Sequence, residues 1–195
     1  MQLRNLGLSV LFLACNLSAS IITYTASLSG PNESPANASP GIGFATVTVD
    51  DILKTMRVQV TFSGLLGTTT ASHIHSSTAV PGTGTAGVAT TTPTFAGFPL
   101  GVTSGSYDNV LDLTSATSYN PAFVTANGGT TASAEAALLA GIAAGEAYLN
   151  IHSTVVPGGE IRGFLVAIPE PASLGLVGAA LAGLALLRRR RSQAC

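Results

Sequence analysis

The sequence has few of the residues that define several protein classes. Its 195 residues include two cysteines, no tryptophan and 9% charged residues. Cys15 and Cys195 lie near the two ends of the chain, in segments that we expect to be removed. The segment between them therefore has no disulfide, no thiolate nucleophile and no cysteine-ligated zinc. The lack of tryptophan disfavours a lectin, because sugar-binding surfaces often stack sugar rings on aromatic side chains.

Basic residues are scarce between the two ends. Five of the eight basic residues are Arg4 and Arg188–Arg191. Residues 21–168 keep only Lys54, Arg57 and Arg162 against eight acidic residues, a net charge of about −5. Phosphate contacts need clustered lysine and arginine. The composition therefore excludes nucleic acid as a partner.

The first 20 residues predict a secretory signal peptide. One positive charge at Arg4 is followed by an apolar stretch from about Leu6 to Cys15 and then by the small residues Ser18-Ala19-Ser20. This is the order of charge, apolar core and cleavage site that directs export. A buried N-terminal strand or helix is the alternative. Export makes signal peptidase the first expected partner.

The last 27 residues, 169–195, predict a membrane-inserted tail. The tail begins with Pro169, Glu170 and Pro171, continues with an apolar helix over residues 173–187, and then has Arg188, Arg189, Arg190 and Arg191. Fifteen helical residues cover about 22 Å, whereas a bilayer core is about 30 Å thick. Because arginine-rich segments stay cytoplasmic, the arginine cluster acts as a membrane stop and leaves residues 21–168 outside. A buried C-terminal helix with a basic cap is the alternative.

These three parts, in this order, resemble a PEP-CTERM sorting signal. The resemblance implies an exosortase-like enzyme in the inner membrane of a Gram-negative bacterium, which recognises Pro-Glu-Pro and cleaves there. It further implies that the apolar helix is a transient anchor, and that the protein reaches the cell surface or the extracellular space. The family is linked to extracellular polysaccharide and biofilm.

Residues 21–168 have the composition of one β domain. The stretch "GFATVTVD" places Ala45, Val47 and Val49 on one face, and "TMRVQVTFSG" alternates in the same way from Met56 to Phe62. About seven such segments, separated by glycine, proline and asparagine, predict a mainly β fold. We expect a Greek-key sandwich or barrel of seven to eight antiparallel strands.

Two stretches interrupt the alternation. The alanine- and leucine-rich segment 131–144 predicts one short helix, with Thr131 as the N-cap and Gly145 as the stop. Residues 76–105 form a long connection rich in glycine, threonine, proline and alanine. A loop of that length in a compact domain is usually functional or disordered.

The three histidines fall in two similar segments. His73 and His75 lie in "SHIHS", and His152 lies in "YLNIHS". Residues two apart in a strand point to the same side, so His73 and His75 share a face. If the strand of His152 lies alongside, the three imidazoles form a site suited to zinc or copper with a fourth position open to water. The alternative is that the histidines hydrogen-bond the long loop and fix its base.

The second histidine segment continues into a tight connection. Pro157, Gly158 and Gly159 predict a turn between two strands. Glu160 and Arg162 then lie two residues apart, on one face, where they are expected to form a structural ion pair.

The segments "SHIHS", "NPAFVTANGG" and "EAALLAGIAAGEAYLNIHSTVVPGGEIRGFL" resemble the CHRD domain, first described in chordin, over about Ile22 to Ala167. In bacteria such domains occur in exported proteins. The His-x-His strand, the glycine-rich loop and the late glycine-rich strand also resemble, more distantly, the Greek-key barrel of copper/zinc superoxide dismutase, whose copper histidines match His73, His75 and His152. The loop 76–105 contains no histidine or cysteine to match that family's other ligands or its disulfide.

Three functions follow from the sequence. The first is an exported, cell-surface or extracellular-matrix domain that binds a polysaccharide or a matrix protein; the sequence favours such a non-enzymatic role because no catalytic triad, carboxylate pair or phosphate loop is evident. The alternative is an extracellular metalloprotein that holds copper or zinc through the three histidines. The third is an adhesive protein that packs against copies of itself.

Overall fold

The computed structural model describes residues 21–168, 178 and 181–182. The predicted signal peptide lies outside the described residues, and so do the Pro-Glu-Pro motif, the arginine cluster and all of the predicted apolar helix except residues 178 and 181–182, which are helical. Within the described part of the chain, no helix has the length and apolar character needed to cross a membrane.

Eight strands form one antiparallel sheet. The strands are β1 (Ile21–Ser29), β2 (Ile42–Asp50), β3 (Thr55–Ser63), β4 (Thr69–His75), β5 (Gly105–Asp112), β6 (Tyr148–Ser153), β7 (Ile161–Phe164) and β8 (Val166–Ala167). Their order is β4-β6-β7-β1-β2-β3-β5, and β8 also pairs with β1. The sheet curls into a half-barrel, which confirms the prediction of a mainly β fold with seven to eight antiparallel strands.

The period-two alternation follows the faces of the sheet. Ala45, Val47 and Val49 are buried in β2, as are Met56 and the other even-numbered residues of β3 up to 62. The intervening residues of both strands are exposed or half-buried. A fully buried aliphatic side chain stabilises a fold by about 1.5–3 kcal/mol. The buried faces of these two strands therefore contribute strongly to the stability of the domain.

Two short helices, rather than the one predicted, follow β5. The predicted helix is α2 (Thr131–Ala143), and its N-cap is Thr130, one residue before the predicted cap. Gly145 follows its end at a φ of 71°, a conformation that glycine adopts without strain. The unpredicted helix is α1 (Pro121–Ala126), which begins where the Asn120 side chain accepts a hydrogen bond from the backbone N–H of Ala122.

The long connection between β4 and β5 packs along the free edge of β4. Backbone N–H groups of Ala89 and Phe95 donate to the carbonyls of Ile74 and Ser72 at 2.9 and 3.0 Å. The Phe95 side chain is fully buried. The loop is thus an ordered cover whose backbone lies directly beside the histidine-bearing strand.

Candidate metal centre

The sheet places the three histidines on one side of two neighbouring strands. β4 pairs with β6 so that His73 lies opposite Asn150 and His75 lies opposite Tyr148. His152 is two residues beyond Asn150, and residues two apart in a strand share a side. Ile74 points the other way and is fully buried in the core. The strand order therefore brings together side chains that are nearly 80 residues apart in sequence.

The three imidazole rings form a compact group. The His73 ring centroid lies 4.7 Å from the centroids of both His75 and His152. Nε2 of His73 and Nε2 of His152 are 3.0 Å apart, and one ring nitrogen from each histidine falls within 4.8 Å of the others. Two nitrogens bound tetrahedrally to one zinc ion at about 2.0–2.1 Å lie about 3.4 Å apart. The observed separations bracket that spacing.

Backbone carbonyls orient two of the rings. Nδ1 of His75 donates to the Ala86 carbonyl, and Nδ1 of His152 donates to the Pro157 carbonyl, both at 2.8 Å. In a neutral imidazole the other nitrogen then carries a lone pair, so Nε2 of both rings is an acceptor. Metal-ligating histidines in proteins are usually held through their second nitrogen in this way. The Ala86 bond also fits the alternative prediction that a histidine fixes the loop.

Burial keeps the histidines neutral. Burial, with repulsion from His75 and His152, lowers the pKa of His73 to about 3, against a weaker opposing interaction with the Pro93 carbonyl. The Pro93 carbonyl and His73 do not form a hydrogen bond of good geometry, since Nδ1 of His73 has no partner. Burial also lowers the pKa of His75 and of His152. Neutral imidazole is the form that binds metal ions.

These pKa shifts predict that the metal-free domain loses stability in mild acid. The folded-state pKa of each histidine lies below its unfolded value of about 6.5, so the unfolded chain binds more protons once the pH falls below about 6.5. We expect His73, whose folded-state pKa is about 3, to cost about 1.4 kcal/mol at pH 5.5 relative to pH 7.5. His75 and His152 are expected to add losses in the same direction. Urea unfolding in the presence of a chelator at the two pH values measures the loss.

The contribution of Glu33 to stability increases as the pH falls, opposite to that of the histidines, so the test compares two variants. Burial raises the pKa of Glu33 to about 7, even though Arg162 lowers it. Glu33 therefore contributes stability that is greatest below about pH 4.5 and is lost as the pH rises through 7. The chain with His73, His75 and His152 changed to alanine keeps the Glu33 contribution and is expected to lack the acid loss. An equal acid loss in both chains would contradict the prediction.

Arg162 lies beside the histidine cluster on the neighbouring strand. Its Cζ is 4.7 Å from the centre of the Tyr148 ring. The Tyr148 ring also stacks on His75, with ring centroids 4.7 Å apart and an interplanar angle of 6°. Nε of Arg162 donates to the Asn32 carbonyl at 2.5 Å, and its carboxylate partner is Glu33 at 3.7 Å. A guanidinium group thus lies next to an aromatic neighbour of the cluster.

The predicted ion pair between Glu160 and Arg162 is replaced by two separate sets of contacts. Glu160 is fully buried and accepts hydrogen bonds from Ser39 Oγ at 2.6 Å and from the backbone N–H groups of Leu66 and Gly67 at 2.5 and 3.3 Å. Glu160 precedes β7 and still belongs to the connection after β6. The two-residue alternation that places two side chains on one face therefore does not apply.

The predicted turn at residues 157–159 connects β6 to β7 and supports the site. Its first residue, Pro157, supplies the carbonyl that orients His152. Gly159 has a φ of 131°, and a Cβ there would lie 2.7 Å from Oε1 of Glu33 and 2.8 Å from Nδ2 of Asn150. Only glycine fits this conformation and this close approach.

Sequence reasoning missed three residues around the cluster. Asn150 and Tyr148 lie two and four residues before His152, so the period-two rule places them on the same face and could have identified them. Glu33 lies 40 residues before His73 and 119 before His152, and no sequence signal connects it to the cluster.

Two models of known families match the chain, one over the β domain and one over the C-terminal tail. A model of the CHRD domain matches residues 24–165, which is most of the chain. The chain belongs to the CHRD family. The CHRD match extends from β1 to the end of β7 and includes all three histidines. A model of the PEP-CTERM protein-sorting motif matches residues 167–191. No curated protein and no solved structure matches the chain.

Together the two matches describe an exported CHRD protein that is sorted by an exosortase-type system. The sorting motif indicates a destination at the cell surface or outside the cell in a Gram-negative bacterium.

Proposed function

We propose that this CHRD domain is an extracellular metal-binding domain that holds one copper or zinc ion through His73, His75 and His152. The observation that carries the proposal is the convergence of one ring nitrogen from each of two buried histidines and the half-buried His152 within 4.8 Å of one another. The hydrogen bonds from Nδ1 of His75 and His152 to backbone carbonyls also support the proposal, because they leave Nε2 of both rings with a lone pair for a metal ion.

The donor set suits copper and zinc. Neutral imidazole nitrogen is a favoured ligand of both metals, whereas calcium and magnesium select oxygen ligands. Bound copper would supply one-electron redox chemistry at the site, and zinc would supply a Lewis acid. The chain's own residues would hold the ion, exclude bulk water through the loop 76–104, and keep the imidazoles neutral. Binding to a polysaccharide or a matrix protein stays a prediction from the sequence.

We also propose the path by which the domain reaches its place of action. Signal peptidase removes residues 1–20, and the helix at 173–187 with Arg188–Arg191 anchors the tail in the inner membrane. The exosortase-type enzyme then cleaves at Pro169–Pro171 and releases residues 21–168. The matched sorting motif supports this order of events.

The metal proposal predicts one copper or zinc ion per chain in the untagged protein recovered from its cell surface or medium. Native mass spectrometry reads the stoichiometry and reports both cleavage events in the same spectrum. Changing His73, His75 and His152 to alanine is expected to remove the ion completely, because all of the nitrogen ligands are lost.

The matched control changes three polar residues on the outward face of the sheet, Thr46, Gln59 and Thr61, to alanine. This control is expected to keep the full metal content. A wild-type protein without copper or zinc near pH 7.5, or a triple-histidine variant that keeps its ion, would refute the proposal.

A further inference from the structure

A fourth buried polar side chain, Asn150, lies on the histidine side of the β4–β6 pair. Asn150 is 2% exposed and lies opposite His73 in the β4–β6 pairing. It shares its side of β6 with His152. On its other side, Asn150 lies opposite Arg162 of β7.

Asn150 and His75 each present a buried acceptor atom that has no partner. Nε2 of His75 and Oδ1 of Asn150 are both buried, and neither has a hydrogen-bond partner. The Asn150 side chain is nevertheless close enough to His75 to favour a positive charge on the ring. Because the Nδ1 proton of His75 is donated to the Ala86 carbonyl, Nε2 presents a lone pair. Two lone pairs without a shared donor are costly in a buried site.

The amide of Asn150 is held in this orientation from its other end. Its amino nitrogen and Oε1 of Glu33 both lie beside Gly159, 2.8 and 2.7 Å from where a Cβ on that glycine would be, and the amide favours the ionised form of Glu33. Glu33 in turn pairs with Arg162. The carbonyl oxygen of the amide is therefore directed away from Glu33 and toward the histidines. Such outer contacts commonly fix the ligands of a metal ion.

We propose that Oδ1 of Asn150 is the fourth protein ligand of the centre, and that it makes the site selective for a divalent ion, Zn²⁺ or Cu²⁺, over Cu⁺. This inference rests on the proposed metal-binding function. A cation between the four atoms removes the conflict between the His75 and Asn150 lone pairs. Cu⁺ prefers soft sulfur ligands, and an amide oxygen is a hard ligand that favours divalent ions.

The test measures Zn²⁺ and Cu⁺ affinities of the exported protein separately, by competition with chromophoric chelators. Asn150→Ala is expected to weaken Zn²⁺ binding about tenfold or more while leaving Cu⁺ binding unchanged. Asn150→Asp keeps an oxygen ligand and is expected to bind Zn²⁺ at least as tightly as the wild type. An asparagine on β5, at the other end of the strand order from β4, provides the matched control: Asn109→Ala is expected to alter neither affinity.

The outcomes separate this inference from the proposed function. If Asn150 has a purely structural role, Asn150→Ala lowers the Zn²⁺ and Cu⁺ affinities equally, and that result would overturn the inference. An unchanged Zn²⁺ affinity in Asn150→Ala would also overturn it. In both cases metal binding by the wild type upholds the three-histidine site. A wild-type protein that binds neither ion overturns the proposed function itself.

Discussion

Changing Glu160 to glutamine is expected to destabilise the domain by about 3 kcal/mol or more. The fully buried carboxylate accepts from Ser39 Oγ and from the backbone N–H groups of Leu66 and Gly67. An amide of the same shape replaces one acceptor oxygen with an N–H donor. At least one buried N–H then loses its partner and faces another donor.

The pKa of Glu160 supports this role. Burial on its own would raise this pKa, yet the hydrogen bonds from Ser153, Ser39, Leu66 and Gly67 together hold it below its usual value. A carboxyl group with a depressed folded-state pKa contributes stability that is present above its unfolded pKa and is lost as the pH falls through the folded value. The stabilising contribution is therefore fully available at pH 7.

Urea unfolding at pH 7 measures the Glu160→Gln effect, with Asp108→Asn as the matched control. Asp108 is also hydrogen-bonded, to Arg57 at 2.6 and 2.8 Å, but it is exposed on the outer face of the sheet. Exposed ion pairs contribute little to stability. We expect a small effect from Asp108→Asn, and similar effects from the two substitutions would contradict the structural role of Glu160.

A second large effect is expected at Gly163, where β7 passes β1. A Cβ on Gly163 would meet the carbonyl oxygen of Ser27 and would lie 2.9 Å from the Ser27 carbonyl carbon and 3.2 Å from Cβ of Ala26. β1 is paired with β2 over its whole length, so its backbone cannot move aside without breaking that ladder. Gly163→Ala is therefore expected to cost about 3 kcal/mol or more.

Gly158→Ala provides the matched control for Gly163→Ala. A Cβ on Gly158 has no atom within 4 Å, and the residue lies in the turn that leads into β7, five residues before Gly163. Thermal unfolding followed by circular dichroism is expected to show a large fall in Tm for Gly163→Ala and almost none for Gly158→Ala. A Gly163→Ala chain that unfolds at the wild-type temperature would show that β1 and β7 are less closely packed than described.

The strands were predictable from sequence because their signal is local. One buried face and one exposed face impose a period of two on the sequence, and that period is clear from Ala45 to Val49 and from Met56 to Phe62. Helix α1 was also readable, since Asn120 followed by Pro121 is a helix-start signal. No helix was predicted over these residues.

The site was only half predictable, because its assembly depends on strand order. Alternation alone places His73 and His75 on one face. That His152 lies next to them follows from the pairing of β4 with β6, which long-range packing decides. The carbonyls of Ala86 and Pro157 carry no sequence signal, since every residue has a carbonyl. The predicted pairing of Glu160 with Arg162 was wrong because Glu160 lies before the start of β7, where side chains do not alternate between two faces.

The two outermost strands of the sheet have consequences for a protein that is crowded on a cell surface. At one side, the loop backbone already bonds to Ser72 and Ile74 of β4. At the other side, the side chain of Asn109 accepts from the N–H of Val110 in its own strand, β5. A neighbouring copy could therefore add a strand beside β4 only by displacing the loop 76–104. On that side, the loop protects the sheet against strand addition between molecules.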